Sequence, residues 1–413
     1  MRTRSNIIHW VLYDFANSLV SIVFFLYFSQ WAVIDRGISD LNFNLTFTIS
    51  ALLLLISVPS TGILLDKHWR RITGLRITTT FAAIFYGTCA IMAINNNNTG
   101  AIIFFTLGLY SYLLSFTFYT PLINDISTKE NIGKISGWGI FANYLGQIAG
   151  LLLVLPISKG TISLFGGSAR AETLLPAVIA FFILSLPMLI FFKEPKKNKP
   201  TNKEGFLEHM KNTIFETKKL LAIKSVGLFL LAYFLFNDAI LTAVNNFGIF
   251  LEQVWHVSDT TKTFMLLGIM ITSAIGALIS GRIADKYGHK KTLMYVLIIW
   301  AVVFPFIGLI QSFNWFIVAC VIMGLAFGAN WTVSRSVMSY ISRDGKHNLA
   351  FGYFGLAERA SSLLGPIVWG LVVGGLINLG GTRYRIAISA LTIFIILGLI
   401  ALRKVRSDKE KLF

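Results

Sequence analysis

Charge is the first thing this chain is short of. Of its 413 residues only 13% are Asp, Glu, Lys or Arg, about half the share of a soluble domain. A chain so poor in charge cannot cover a water-facing surface, which excludes an ordinary soluble enzyme or binding module. Acids are scarcer than bases: 19 Asp+Glu against 36 Lys+Arg leave a formal net charge of +17. Cysteine is nearly missing. Cys89 and Cys320 both fall inside long apolar runs, so no disulfide framework is encoded. The six histidines, at 9, 68, 209, 256, 289 and 347, are scattered and form no His-x-x-x-His pair or other metal-ligand spacing. No nucleophile–histidine–acid set is evident. Nor is there a Gly-x-x-x-x-Gly-Lys-Ser/Thr loop to hold ATP. No catalytic residue, cofactor or metal is therefore expected.

What the chain has in abundance is hydrocarbon, with 55% hydrophobic residues and 35 Phe. A spanning helix needs about 20 mostly apolar residues. About twelve such runs are present, near 7–34, 44–65, 74–94, 101–123, 137–158, 174–192, 225–250, 263–283, 292–311, 314–337, 349–377 and 385–402. The expected fold class is an all-α polytopic membrane protein. The first run is too long for a cleavable signal peptide, carries Asp14 and lacks a small-x-small cleavage site. About 29 of the 36 Lys+Arg lie at the termini and in the even-numbered breaks, and about 6 in the odd-numbered ones. Only Arg359 falls deep inside a span, whereas Arg76, Arg282, Arg335 and Arg385 sit within three residues of a run's end and are counted with the neighbouring break. That asymmetry predicts cytoplasmic termini, in the inner membrane if the source is bacterial. The basic excess then reports topology, and nucleic acid is not an expected partner.

Residues 193–224 are polar and Lys-rich, and read as a flexible start followed by an amphipathic helix around Gly205–Leu221. They divide the chain into six-helix halves, 1–192 and 225–413. A repeat supports that division. "GILLDKHWRR" (62–71) ends the second span and "GRIADKYGHKK" (281–291) ends the eighth, with Gly62 and Gly281 219 positions apart, as are Asp66 and Asp285. Parallel six-helix repeats are one standard way to build a secondary transporter.

This repeated Gly-x-x-x-Asp loop with its basic cluster resembles the signature of the major facilitator superfamily. "YDFANS" (13–18), "KISGWGIFANYLG" (134–146), "FLLAYFLFNDAILT" (229–242), "SRS" (334–336) and "FGYFGLAERASSLLGP" (351–366) are similar, in the same order, to its vacuole-effluxer-like branch. The resemblance implies twelve helices in two pseudo-symmetric halves, with helices 1, 4, 7 and 10 lining a central cavity. It also implies secondary transport by alternating access, with export of an amino acid or other small metabolite as the best single expectation. Uptake of a sugar, nucleoside or drug-like solute, or a sensor on the same fold, stays open. The partners expected are a small-molecule substrate, protons and the lipid bilayer, for a chain acting as a monomer.

Ionisable side chains inside a span cost roughly 2.5–3.5 kcal/mol on insertion scales and call for a reason. Asp14, Asn17, Ser18 and Ser21 form one stripe on the first helix, and Asp238, Thr242 and Asn245, with the neighbouring Asn237, mark the seventh. Asp14 and Asp238 suit a proton path, a substrate amine, or interhelical hydrogen bonds that only lock packing. Glu358 and Arg359 are adjacent and so point about 100° apart. Glu358 is a proton-site candidate, and Arg359 suits an anionic group or a structural ion pair. Asn143 with Gln147, and Asn330 with Ser334, are i,i+4 polar pairs that suit substrate or helix packing. Gly146-x-x-x-Gly150 reads as a helix-packing motif. Arg335 suits a lipid phosphate or a carboxylate such as Asp344. The resemblance further implies a gating latch from Gly62, Asp66, Arg70, Arg71, Asp125, Gly281, Asp285, Lys290 and Arg335, in which Arg70 and Arg71 pair with Asp125.

Overall fold

The computed structural model describes residues 2–67, 70–128, 132–194, 223–341 and 347–405. Side chains at 2, 3, 59–67, 132–134, 224 and 347–350 are outside that description. So are the expected amphipathic helix at Gly205–Leu221, and Asp344.

Among the described residues, twelve helices are long and apolar enough to cross a membrane. In chain order they are α1 (Arg4–Asp35), α2 (Asp40–Val58), α3 (Arg71–Ile94), α4 (Asn98–Ile126), α5 (Ile135–Ser158) and α6 (Ala169–Phe191), then α7 (Ser225–Asn245), α8 (Asp259–Tyr287), α9 (His289–Leu309), α10 (Phe313–Ile341), α11 (Phe351–Gly375) and α12 (Thr382–Arg403). Hydrocarbon offers no partners to backbone N–H and C=O groups, so each apolar run must satisfy its own as a helix. Side-chain caps mark several starts: Asn97 accepts from the Gly100 N–H, Ser168 from that of Ala171 and Ser258 from that of Thr261.

Two helices depart from regularity. α1 carries two π-helical stretches, Phe24–Phe28 and Trp31–Asp35. α11 is interrupted: one helix ends at Ala360 and a second begins at Gly365. The sequence reads as a single run at 349–377, so this break is a finding of the structure.

The chain forms two compact units, Met1–Ser39 with Ile49–Met210, and Asp40–Thr48 with Lys211–Phe413. Within the first, α1 packs on α5 and α6, and α3 on α4 and α6. Within the second, α7 packs on α11 and α12, α9 on α10 and α12, and α8 on α10. The pairings α1–α6, α3–α4 and α3–α6 thus recur as α7–α12, α9–α10 and α9–α12, as a sequence repeat requires.

Small residues set the tightest approaches. A Cβ on Gly146 would collide with the Phe15 carbonyl, and one on Gly150 would sit 2.6 Å from the Leu19 carbonyl, so α1 and α5 meet backbone to backbone. Gly276 and Gly328 do the same for α8 and α10, against the carbonyls of Leu325 and Ser273. Gly281 of the repeated loop is less confined, its nearest neighbour being the Thr332 methyl at 3.8 Å from an added Cβ.

The first turns of α2, Asp40–Thr48, are built into the second unit. Asn44 and Asn246 exchange two amide hydrogen bonds, at 3.0 and 2.8 Å, and both are fully buried. The Tyr384 hydroxyl donates to Asp40 Oδ2 at 3.0 Å, and the Thr48 hydroxyl donates to the Leu363 carbonyl at 3.0 Å.

Candidate functional site

In the first unit the polar stripe of α1 faces helices of its own unit. Asp14 Oδ2 lies over Gly139 of α5, where an added Cβ would be only 3.1 Å away, and its carboxylate is in hydrogen-bonding range of the Tyr119 hydroxyl. Three aromatic residues surround it. Trp10 stacks on Tyr119 with ring centroids 5.0 Å apart, and Tyr13 lies against Tyr119 at 4.9 Å. Their hydroxyls are anchored: Tyr119 donates to the Trp10 carbonyl at 2.8 Å, and Tyr13 bonds Thr79 at 2.6 Å and Ser115 at 3.3 Å. Asn17 is fully buried beside Tyr13, yet neither of its amide atoms has a hydrogen-bond partner among the described residues. Asn143 is taken up within α5, accepting from Gln147 at 2.7 Å.

In the second unit, residues from three helices come together. Asn237 of α7 donates to the Glu358 carbonyl of α11 at 3.3 Å, and the Glu358 carboxylate stands 3.9 Å from the Arg335 guanidinium of α10. That pair is at the outer limit of an ion pair, with the two side chains 42% and 23% exposed for Arg335 and Glu358. Both groups keep hydrogen-bonding capacity for a third party. Arg359 donates to the Gly355 carbonyl of its own helix at 3.3 Å. Asn330 and Ser334, side by side on α10, are fully buried, and neither side chain has a hydrogen-bond partner among the described residues.

Asp238 has a different setting. Its carboxylate is fully buried and accepts from the backbone N–H groups of Leu363 (3.2 Å), Leu364 (2.9 Å) and Gly365 (2.8 Å), at the interruption of α11. Thr242, one turn on, has a buried hydroxyl directly beside Gly365 and without a hydrogen-bond partner among the described residues.

Of the residues the resemblance groups as a latch, Arg71 and Asp125 stand 3.5 Å apart. Arg70 and Asp285 are exposed. Lys290 donates to the carbonyls of Arg403 (3.0 Å) and Val405, where α12 ends. The backbone of Gly62 and Asp66 continues the helix that begins at Asp40, while their side chains lie outside the described residues.

Two charged groups stand out that composition and spacing did not single out. Lys262 is fully buried between Asp259 (2.8 Å) and Glu252. Glu172, buried at the start of α6, gathers the N–H groups of Leu164 (2.6 Å), Phe165 (3.2 Å) and Gly167 (2.6 Å) and the Ser163 hydroxyl (3.2 Å). The turn-forming "FGGS" (165–168) before α6 is the one local signal for such a nest.

Comparison with known proteins supplies the family. The family described as "Vacuole effluxer Atg22 like" matches residues 42–412. Autophagy-related protein 22 of Saccharomyces cerevisiae is 28% identical over 225 residues, 51% of this chain and 42% of that protein, so the chain spans less than half the length of that relative. An uncharacterized MFS-type transporter of Bacillus subtilis, YxiO, is 21% identical over 414 residues, covering 95% of this chain and 93% of the other. Among solved structures, the nucleoside transporter NupG superposes with a TM-score of 0.73 at 14% identity over 98% of this chain and 100% of its own. A D-xylose-proton symporter does so with 0.69 at 14% identity over 100% and 99%. These two likenesses bear on the fold, that of major facilitator transporters. With a match over most of its length, the chain belongs to the vacuole effluxer Atg22-like family and is a multi-pass membrane protein with the fold of major facilitator transporters.

Proposed function

We propose that the chain exports an amino acid, or a similarly small zwitterion, by proton-coupled alternating access. The observation that carries this reading is the Arg335–Glu358 pair. At 3.9 Å, with both side chains partly exposed, it offers a guanidinium and a carboxylate at one spot. A zwitterion presents the complementary charges: a carboxylate that a guanidinium fork holds well, and an ammonium that a carboxylate accepts. Asn237, bonded to the Glu358 carbonyl, sets that residue's backbone. The amide of Asn330 and the hydroxyl of Ser334, without partners among the described residues, supply further polar contacts. Asp14, ringed by Trp10, Tyr13 and Tyr119, is the residue we assign to the proton path, with Glu358 as a second titratable site. Arg71–Asp125 and the repeated loops at 62–71 and 281–291 act as the gating latch. The positive-inside asymmetry supports cytoplasmic termini, and in this reading the chain works as a monomer.

Counterflow in proteoliposomes tests this, with and without an imposed pH gradient, for wild type, Asp14→Asn and Arg335→Gln. The expected result is amino-acid exchange that follows the gradient in wild type, loses that response in Asp14→Asn, and falls in Arg335→Gln through a raised KM. Nucleosides and D-xylose serve as comparison solutes. Exchange of either of these without any amino-acid exchange would sink the substrate assignment. Gradient-driven exchange that persists in Asp14→Asn would remove Asp14 from the proton path.

A further inference from the structure

The interruption of α11 is left unexplained by the transport reading. A helix that starts inside a membrane has N–H groups with no partner in its own first turn, and hydrocarbon supplies none. The half-helix Gly365–Gly375 gets no side-chain cap from the residue before it, Leu364. Ser361, a residue type that caps helices readily, turns its hydroxyl back to the Ala357 carbonyl. The acceptor comes instead from α7. Asp238 takes all three N–H groups of Leu363, Leu364 and Gly365. Charge-assisted bonds at the positive end of a helix dipole are strong ones. Residue 365 has to be glycine for this arrangement. A Cβ there would stand 3.0 Å from the Asp238 carbonyl and would collide with the Thr242 hydroxyl.

The same break has a second attachment. Leu363, whose N–H goes to Asp238, gives its carbonyl to Thr48 at 3.0 Å. One residue therefore connects the acid of α7 to the first turns of α2. We propose that Asp238 is a positioning residue. Its carboxylate holds the interrupted α11 in the shape that presents the Leu363 carbonyl to Thr48, and the docking of Asp40–Thr48 on the second unit depends on it. Replacing the acid by an amide of the same shape turns one acceptor into a donor that faces N–H groups. The break then relaxes and Thr48 loses its partner.

The test reads the docked segment directly in the full chain and needs no transported solute, so its outcome is separate from the substrate assignment. A reporter cysteine replaces the buried Thr46, which lies on that segment. Reaction of purified protein with a soluble maleimide is then followed peptide by peptide by mass spectrometry. The native Cys89 and Cys320 are buried on α3 and α10 and act as internal controls. Adding Asp238→Asn is expected to raise labelling at Thr46→Cys roughly tenfold, the effect of losing one hydrogen bond to a charged group, while Cys89 and Cys320 react as before. Unchanged labelling at Thr46→Cys overturns the proposal. So does a parallel rise at Cys89 and Cys320, which reports general loosening. If Asp238→Asn does not yield folded protein, Thr48→Val tests the link from its other end. A reporter at the buried Ser362 must then label faster, and no change there equally refutes the dependence.

Discussion

The reciprocal amides of Asn44 and Asn246 allow a quantitative prediction. Each amide also has a bond to its own helix: Asn44 Nδ2 to the Asp40 carbonyl and Asn246 Nδ2 to the Thr242 carbonyl, both at 2.9 Å. Replacing Asn44 by Leu, the apolar side chain nearest in shape, removes both cross-links and leaves the buried Asn246 Oδ1 without a donor. Two interhelical bonds at the ~0.6 kcal/mol typical inside membrane proteins contribute about 1 kcal/mol. The stranded acceptor adds about 1–3 kcal/mol, so the single change should cost roughly 2–4 kcal/mol. Asn246→Leu should cost about the same. The double change strands nothing and should cost about 1 kcal/mol, because two apolar groups of matching shape replace two paired polar ones. Thermal unfolding of detergent-purified protein, followed by a thiol-reactive dye, measures this. Cys89 and Cys320 are buried and react only as the fold opens. The expected order of midpoints is wild type, then the double variant, then either single variant. A double variant that melts as low as the two single effects added together refutes the reasoning, since additivity means the amides do not depend on each other.

Other consequences are as direct. Gly146→Val drives a branched side chain into the Phe15 carbonyl; it should cost about 1–3 kcal/mol or more and sharply lower the yield of monodisperse protein on size-exclusion chromatography. Arg335→Lys keeps the charge near Glu358 but loses the planar fork, so substrate KM in a flux assay should rise less than in Arg335→Ala, with Vmax similar in the two. Glu172→Ala leaves the Leu164, Phe165 and Gly167 N–H groups without their acceptor, and amide exchange at those three residues should accelerate while α3 stays protected. Arg71→Gln breaks a pair that is 3.5 Å long and partly exposed; it should shift stability by no more than about 1 kcal/mol, and a larger drop in the melting midpoint would mean a wider network there.

Much of the architecture was legible because a bilayer imposes it. Length and hydropathy fix a spanning helix, and the twelve runs fall within a few residues of the twelve helices. The repeat was legible too, since "GILLDK" and "GRIADK" keep both spacing and position. The candidate site was legible only as a set of out-of-place polar residues. Spacing along one helix puts Asp238 and Thr242 on one face, but not which neighbour that face meets, because the register between two packed helices is written in no local pattern. For that reason the sequence offers Arg335 only a phosphate or a carboxylate such as Asp344, which lies outside the described residues, while the structure adds Glu358 of α11 at 3.9 Å. The break in α11 was hidden for a related reason. "SSLLGP" (361–366) is apolar enough to pass as helix, and its Ser-Ser and Gly-Pro punctuation gains meaning only once an acid on another helix is known to take the freed N–H groups.

The wide turns of α1 bear on how the chain length is set. In a π stretch the backbone holds one more residue per turn than an α-helix needs, and the carbonyls this loosens find other uses. Ser29 donates to those of Phe25 and Leu26 at 2.7 and 3.0 Å, and Gln30 to that of Leu26 at 2.8 Å, all in a buried setting. Deleting one residue between Phe24 and Phe28 would let α-geometry return. Because the wide turn absorbs the extra residue, the helix beyond it would keep nearly the same phase, leaving Trp31 in its buried slot and Asp35 beside Arg170 at 2.7 Å. The surplus residue therefore costs α1 a row of regular hydrogen bonds without rotating its far end, and a homologous chain one residue shorter here could keep both its polar stripe and its far end while no longer needing Ser29 and Gln30 to meet the loosened carbonyls.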